Sequence, residues 1–290
     1  MAELLKGAPV AAGLITRTAA LAETLAKKGC APCLAIVRVG EKSSDLSYER
    51  GVLKRAPEAG ILVRVIALPA DVPAERYYDE VRALAADASV HGILLFRPLP
   101  KHIDEEKALS LLPPEKDVDG CTPGSLATVF SGRGSGFPPC TAEAAMAILE
   151  YYHIPLSGKK AVVLGRSLVI GRPVAMMLLQ QNATVTICHT KTEHPGETAR
   201  EADILITATG QLRSVGASFV SVGQTVIDVG IGFCEELQKL CGDVIAEEAE
   251  PVVSRLTPVP GGVGSVTTAV LLSHVAEAAS RSTGGRRDIN

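Results

Sequence analysis

Residues 160–179, KAVVLGRSLVIGRPVAMMLL, decide the fold. Lys160 to Leu164 is a short apolar run with the length of a strand. Gly165 closes it, and an apolar stretch at helix length follows from Val174 to Leu179 after a second glycine, Gly171. Strand, glycine turn and helix N-terminus in this order bring free backbone N–H groups and a helix dipole to one point, an arrangement that suits a phosphate. The spacing from Gly165 to Gly171 is not Gly-x-Gly-x-x-Gly, so the turn by itself also reads as ordinary punctuation between a strand and a helix.

Working outward, the same texture repeats on both sides. Thr184–Cys188, Ile204–Thr207 and Thr225–Val229 are further apolar runs, and a last helix is expected near 266–281 before a polar tail, Ser282 to Asn290, that reads as frayed. Toward the N-terminus, helical spacing covers 9–28 and ends at Lys27-Lys28-Gly29, a C-terminal stop. Strands are expected at Leu34–Val39, Ile61–Leu68 and Gly92–Phe96, with helices near 45–59 and 74–87 between them. Continuous apolar strands alternating with helices indicate parallel sheets covered on both faces. Residues 112–141 break the pattern with Pro, Gly, Asp and Ser, and a crossing of that length is uncommon unless it joins domains or carries function. The fold class is therefore α/β: two αβ domains with mostly parallel sheets, the second Rossmann-like.

Composition removes several function classes. The 290 residues match about two domains. Twenty-nine basic against 32 acidic residues give a net charge of −3, without the basic stripe of a nucleic-acid binder. Five Tyr, five Phe and no Trp leave little for stacking on bases. No apolar run reaches the ~18 residues of a membrane span, and Met1–Lys6 lacks the order of a signal peptide. Seven scattered Cys fit reduced thiols in a cytoplasm. Cys30-Ala31-Pro32-Cys33 has redox spacing, but a helix precedes it and a strand follows, the reverse of the redox motif, so it reads as a turn.

Two segments sharpen the ligand. An NAD-binding unit usually ends its second strand in an acid that holds the ribose 2′-hydroxyl. Here Cys188 is followed by His189-Thr190-Lys191-Thr192, with no carboxylate before Glu193. Cation and hydroxyls, with Arg166 as a second cation, suit a 2′-phosphate, so NADP is favoured over NAD. His189 and His194 have poor metal spacing and no completing ligand; no metal is expected. Thr257-Pro258-Val259-Pro260-Gly261-Gly262-Val263-Gly264 packs two Pro and three Gly into a shaped ligand loop ahead of the last helix.

Together the segments Lys116–Gly120 (KDVDG), Pro139-Cys140-Thr141, Gly165–Pro173, Cys188–Thr192 (CHTKT), Val226–Ile231 (VIDVGI) and Thr257–Gly264 (TPVPGGVG) resemble the bifunctional methylenetetrahydrofolate dehydrogenase/methenyltetrahydrofolate cyclohydrolase family. They stand in family order across nearly the whole chain. The resemblance implies a folate-handling domain at 1–141 completed by 267–290, an NADP-binding domain at 142–266, an active site in the cleft between them, and a homodimer. It implies that Asp119 hydrogen-bonds the pterin of a tetrahydrofolate derivative and that Tyr48 stacks near its aminobenzoyl part. Pro260, Gly261 and Gly262 would adjoin the folate, and Gly165, Arg166, Ser167, Gly171, Thr190, Lys191 and Ile231 the cofactor.

The chain also departs from that pattern. The family's catalytic lysine, four residues after the tyrosine, is Val52 here, and the glutamine that partners it is Phe96. Lys54 lies two residues on, about 200° around a helix from position 52. Smaller departures are Gly232 and His274 for Asn, and Ser265 for Pro. Hydride removal from a folate methylene needs alignment and no proton transfer. Hydrolysis of the methenyl product needs positioned proton transfer, typically a factor of ~10²–10⁴. The expectation is an NADP-dependent dehydrogenase whose cyclohydrolase activity is weak or lost. The alternatives are a fully bifunctional enzyme in which Lys54 or Arg97 takes over, a related dehydrogenase of another small metabolite, and a folate- or nucleotide-binding protein without turnover.

Overall fold

The computed structural model describes Met1–Gly284; the end of the polar tail, residues 285–290, lies outside the described residues. The chain divides into two units: an N-terminal unit of 12–140 joined by the chain from Thr268 onward, and a central unit of 1–11 with 141–267.

In the N-terminal unit a three-stranded parallel sheet has Cys33–Val39 in the middle, with Leu62–Leu68 and Gly92–Leu95 on either side. The central strand is buried along nearly its whole length, while the edge strand Leu62–Leu68 is exposed or half-buried at every position before Leu68. The helix Ala74–Ala86 turns Tyr77, Tyr78, Val81 and Leu84 inward onto Ala35, Val37, Ile93 and Leu95, a helical stripe meeting one sheet face. The last helix, Thr267–Ser282, closes the unit. His274 stacks on Phe137 at 4.7 Å between centroids, and the Arg281 guanidinium lies 4.2 Å from the centroid of the same Phe137 ring and donates to Ser135 O at 2.6 Å. Gly92 lies so close to Val118 and Val275 that a Cβ there would come within 2.9 Å of both.

The proline- and glycine-rich crossing is less irregular than its composition suggests. It contains a helix, Pro123–Ser131, with Thr122 as N-cap accepting from Ser125 N at 3.2 Å and Gly132 in the left-handed region at its C-cap.

The central unit has a six-stranded parallel sheet in the order Glu3–Leu4, Arg255–Leu256, Thr225–Asp228, Ile204–Thr207, Lys160–Leu164, Thr184–Cys188. A short antiparallel hairpin, Gly232–Cys234 with Lys239–Cys241, projects from it. The first residues belong here, not to the N-terminal unit as the sequence division had them. Glu3 and Leu4 pair with Arg255 and Leu256, and the Tyr152 hydroxyl donates to Lys6 O at 2.9 Å. A two-residue edge strand has no periodicity to announce it.

All seven cysteines are free thiols; the turn lies just before Cys30, at residues 27–29, and Cys33 is the first residue of the strand Cys33–Val39. Among the described residues no cluster of His, Cys, Asp or Glu could hold a metal, and no helix is long and apolar enough to cross a membrane.

Leu205 is fully buried in a strand flanked on both sides. Leu205→Ala should cost about 2–5 kcal/mol through lost burial and the cavity left behind, read as a lower urea midpoint at unchanged slope.

Candidate active-site residues in each unit

In the N-terminal unit the loop Lys116–Gly120 is fixed by its charged residues. Lys116 Nζ donates to the carbonyls of Leu84, Ala85 and Asp87 at 3.4, 2.8 and 2.7 Å, closing the C-terminus of the helix Ala74–Ala86. Asp117 is fully buried and accepts from the N–H groups of Cys121 (3.1 Å) and Thr122 (2.7 Å), at the entry to the next helix. Gly120 has φ 67°, and a Cβ there would meet the backbone of Pro138 and Pro139 at 2.3–2.5 Å. Asp119 is thereby presented on a loop with no room to shift. Burial, reinforced by the like charge of Asp117, pushes its carboxyl up to about 6, against the opposing pull of Arg97.

Around Asp119 the structure brings together residues from distant parts of the chain. Cys140 Sγ donates to Val118 O at 3.2 Å and also bonds Asp119. His274 Nδ1 lies 2.8 Å from Val118 O; a carbonyl accepts, so that nitrogen carries the proton. Tyr48 bonds Thr268, and burial raises its phenol well above the ordinary value, leaving it a neutral hydroxyl.

Tyr48 sits on the helix Ser43–Arg55, pinned to the sheet by a mostly buried ion pair between Glu49 and Arg38 at 2.9 Å. Val52, one turn after Tyr48, is completely buried. Phe96, just past Gly92–Leu95, is nearly so and meets Tyr48 edge to face at 5.9 Å between ring centroids. Lys54 is exposed. The lysine that does reach the segment after Phe96 is Lys42, whose Nζ donates to Pro98 O at 2.6 Å. Sequence reasoning missed Lys42, Cys140 and Thr268; Cys140 stood inside a quoted motif, whereas Lys42 and Thr268 carried no local signal.

In the central unit the chain leaves Lys160–Leu164 for Thr184–Cys188 on one side and later Ile204–Thr207 on the other, so the strand order reverses at the end of Lys160–Leu164. That switch point is where parallel sheets take ligands. Gly165 stands there with φ 123°, and a Cβ on it would lie 2.1 Å from Ala208 O across the crevice. A Cβ on Gly171 would lie 2.2 Å from Gly165 O. Ser167 Oγ accepts from Ile170 N (3.1 Å) and Gly171 N (3.5 Å), shaping the turn into the helix Gly171–Gln180. Arg166 and Ser167 face solvent, as do Thr190 and Lys191 in the neighbouring turn. That turn is ordered by His189 N donating to Thr192 Oγ1 at 2.9 Å and Lys191 N to His189 Nδ1 at 3.2 Å.

Asp228 ends the next strand and holds several loops. It accepts from Thr207 Oγ1 (2.9 Å) and from the N–H groups of Gly230 (3.1 Å), Asp243 (3.1 Å) and Val244 (3.0 Å), while its own N–H donates to Thr257 Oγ1 at 2.7 Å. Burial raises its carboxyl to about 6. These bonds fix Ile231, half exposed beyond the strand, and the start of the Thr257–Gly264 loop. In that loop Gly261 O accepts from Gly7 N at 2.8 Å; Pro260 and Gly261 are exposed and Gly262 is buried.

Comparison with known proteins gives these two units a family. Residues 5–119 match the catalytic-domain model, and residues 139–283 the NAD(P)-binding-domain model, of tetrahydrofolate dehydrogenase/cyclohydrolase. The bifunctional protein FolD of Carboxydothermus hydrogenoformans is 49% identical over 279 residues, covering 96% of this chain and 97% of that protein. Among solved structures, the bifunctional methylenetetrahydrofolate dehydrogenase/cyclohydrolase FolD of Campylobacter jejuni superposes with a TM-score of 0.93 at 37% identity, covering 97% of this chain and 99% of that one. The Trypanosoma brucei methylenetetrahydrofolate dehydrogenase-cyclohydrolase, complexed with NADP cofactor and inhibitor, does so with 0.90 at 34% identity, covering 97% and 98%. With both halves matched in order and nearly the full length covered, the chain belongs to the tetrahydrofolate dehydrogenase/cyclohydrolase family.

Proposed function

We propose that this chain oxidises 5,10-methylenetetrahydrofolate to 5,10-methenyltetrahydrofolate with NADP as hydride acceptor, and that its hydrolysis of the methenyl product to 10-formyltetrahydrofolate is weak. The carrying observation is that Val52 and Phe96, where the family resemblance implies a lysine and its glutamine partner, are buried apolar side chains, Phe96 edge to face with Tyr48.

In this reading the N-terminal unit handles folate. Asp119 accepts hydrogen bonds from the pterin edge, and Tyr48 lies along the aminobenzoyl part. The central unit's own residues fit the cofactor. Gly165 and Gly171 leave no space for a side chain where backbone must approach a pyrophosphate, and Arg166, Ser167, Thr190 and Lys191 offer cations and hydroxyls suited to a 2′-phosphate. Ile231 would adjoin the cofactor from the end of the next strand. Bound NADP supplies a ring carbon that takes up hydride. A homodimer in the cytoplasm belongs to the same reading, and the free thiols agree with a reducing compartment.

Hydride leaves the methylene carbon with its electron pair, the folate becomes a cation shared by two nitrogens, and no proton moves. A neutral phenol, a carboxylate and rigid backbone suffice for alignment. Hydrolysis then needs a water to lose a proton and a ring nitrogen to gain one; Val52 and Phe96 can do neither. A second reading, full bifunctionality, is favoured by the relatives: one is named bifunctional, and the two solved structures are named for both dehydrogenase and cyclohydrolase. Lys42 and the exposed Lys54 are the amines available to it.

Steady-state assays with each substrate separate the two. Dehydrogenase turnover with slow methenyl hydrolysis is expected, and the Val52→Lys/Phe96→Gln double variant should raise hydrolysis by ~10²-fold. Rapid hydrolysis in the parent, lost on Lys54→Ala or Lys42→Ala, would establish the bifunctional reading instead.

A second expectation concerns Asp119. Its folded value of about 6 lies above the ~3.9 of an unfolded aspartate, so its favourable contribution is complete below about pH 4 and is lost as pH rises through 6. Asp119→Asn should therefore gain stability over the parent at pH 8, on the order of 1–2 kcal/mol, and little at pH 4. The same change should raise the folate KM by about 10²-fold through lost charge-assisted bonds. Thermal melts at both pH values and a substrate titration check the pair.

A further inference from the structure

His274 is a buried side chain in the N-terminal unit that hydride transfer does not use. It lies on the helix Thr267–Ser282, 156 residues along the chain from Val118, and is almost completely buried. Its ring rests on Phe137 with the two planes 31° apart. Phe137 is itself fully buried and carries the Arg281 guanidinium 4.2 Å from its centroid. The imidazole is thereby held in one orientation, with Nδ1 donating to Val118 O at 2.8 Å.

That carbonyl belongs to the peptide unit whose nitrogen is Asp119 N. A peptide unit is planar, so a bond that fixes its oxygen also fixes the nitrogen from which the Asp119 side chain is built out. A carbonyl oxygen can accept twice, and Cys140 Sγ donates to the same atom at 3.2 Å, with its sulfur 3.8 Å from His274 Nδ1. On the far side of Asp119, Gly120 N donates to Asp117 O at 3.1 Å, and Gly120 is pressed against the backbone of Pro138 and Pro139. The Val118 side chain fills the space beside Gly92. Both peptide units flanking Asp119 are therefore held. Its own loop holds the second, whereas the first is held by side chains from two helices later in the chain.

We propose that His274 is a positioning residue for substrate binding, which aims the Asp119 side chain by holding the Val118 carbonyl from the last helix. The inference rests on the reading of Asp119 as the folate-binding carboxylate. A carboxylate that accepts from a flat pterin edge must lie in the plane of that edge, and small misplacements of such a group are costly. Loss of the Nδ1 donor leaves the Val118–Asp119 peptide unit with one fewer bond and frees its plane to tilt. The stack on Phe137 serves the same end, because it fixes the ring that makes the bond.

The test pairs steady-state dehydrogenase kinetics with hydrogen–deuterium exchange of the full chain. His274→Asn keeps a donor in place, since its amide nitrogen is bonded to Cγ as Nδ1 is, and His274→Leu removes it. His274→Leu should raise the KM for methylenetetrahydrofolate about tenfold and leave the KM for NADP within about twofold of the parent. Peptides covering 116–121 should exchange about tenfold faster, while those covering Cys33–Val39 keep the parent rate. His274→Asn should recover most of both losses. A part in folding alone would lower kcat through the active fraction with both KM values unmoved. That pattern, a parent-like folate KM in His274→Leu, or an equal loss in His274→Asn, overturns the proposal. Should His274→Leu fail to fold, His274→Phe, which keeps an aromatic ring against Phe137 without the donor, is read in the same way. Absence of turnover in the parent would instead remove the folate reading, and exchange at 116–121 would still report on His274 by itself.

Discussion

The N-terminal unit depends on two charges used to finish helices. Lys116 gives its ammonium to three carbonyls at the end of one helix, and Asp117 receives two N–H groups at the start of another. Both lie within one loop, so the loop cannot move without leaving a buried charge unpaired, which is far costlier than a lost surface contact. Asp119 is carried on that rigid frame. Its strained electrostatics follow directly: the Asp117 carboxylate that immobilises the loop is also the like charge that disfavours ionisation of its neighbour.

The helix Ser43–Arg55 carries apolar contacts instead. Tyr48 on it meets Phe96 edge to face, Val52 one turn on is fully buried, and the helix is locked to the sheet through Glu49 and Arg38. A lysine at position 52 would need a polar companion in this setting, because an ammonium buried without one loses its proton or its place. Valine and phenylalanine instead place two buried apolar side chains at positions 52 and 96.

In the central unit close backbone approach does the equivalent work. Gly165 and Ala208 stand too near for any side chain between them at the point where strand order reverses, and Asp228 gathers three N–H groups, one from Gly230 and two from Asp243 and Val244. The turn residues facing solvent therefore rest on a scaffold whose hydrogen bonds are directed inward, leaving Arg166, Thr190 and Lys191 on its outer side.

Much of this was legible from the residues alone. Continuous apolar strands separated by helices give parallel sheets because both faces must be covered, and Gly165 marks the phosphate-type turn because a strand and a helix adjoin it. The family was legible from motifs standing in order along the chain. The short strand Glu3–Leu4 and the helix Pro123–Ser131 were not, since two residues have no period and proline-rich composition hides a capped helix. Nor could spacing reveal that Lys54 points to solvent while Lys42 reaches Pro98, or that Cys140 and His274 converge on the loop of Asp119. The sequence by itself determined which elements form and what chemistry they carry, because periodicity and turn residues act locally. Which charges meet, and how far burial shifts them, was decided only by tertiary structure, because Coulomb energies depend on distance and surroundings that no local pattern encodes.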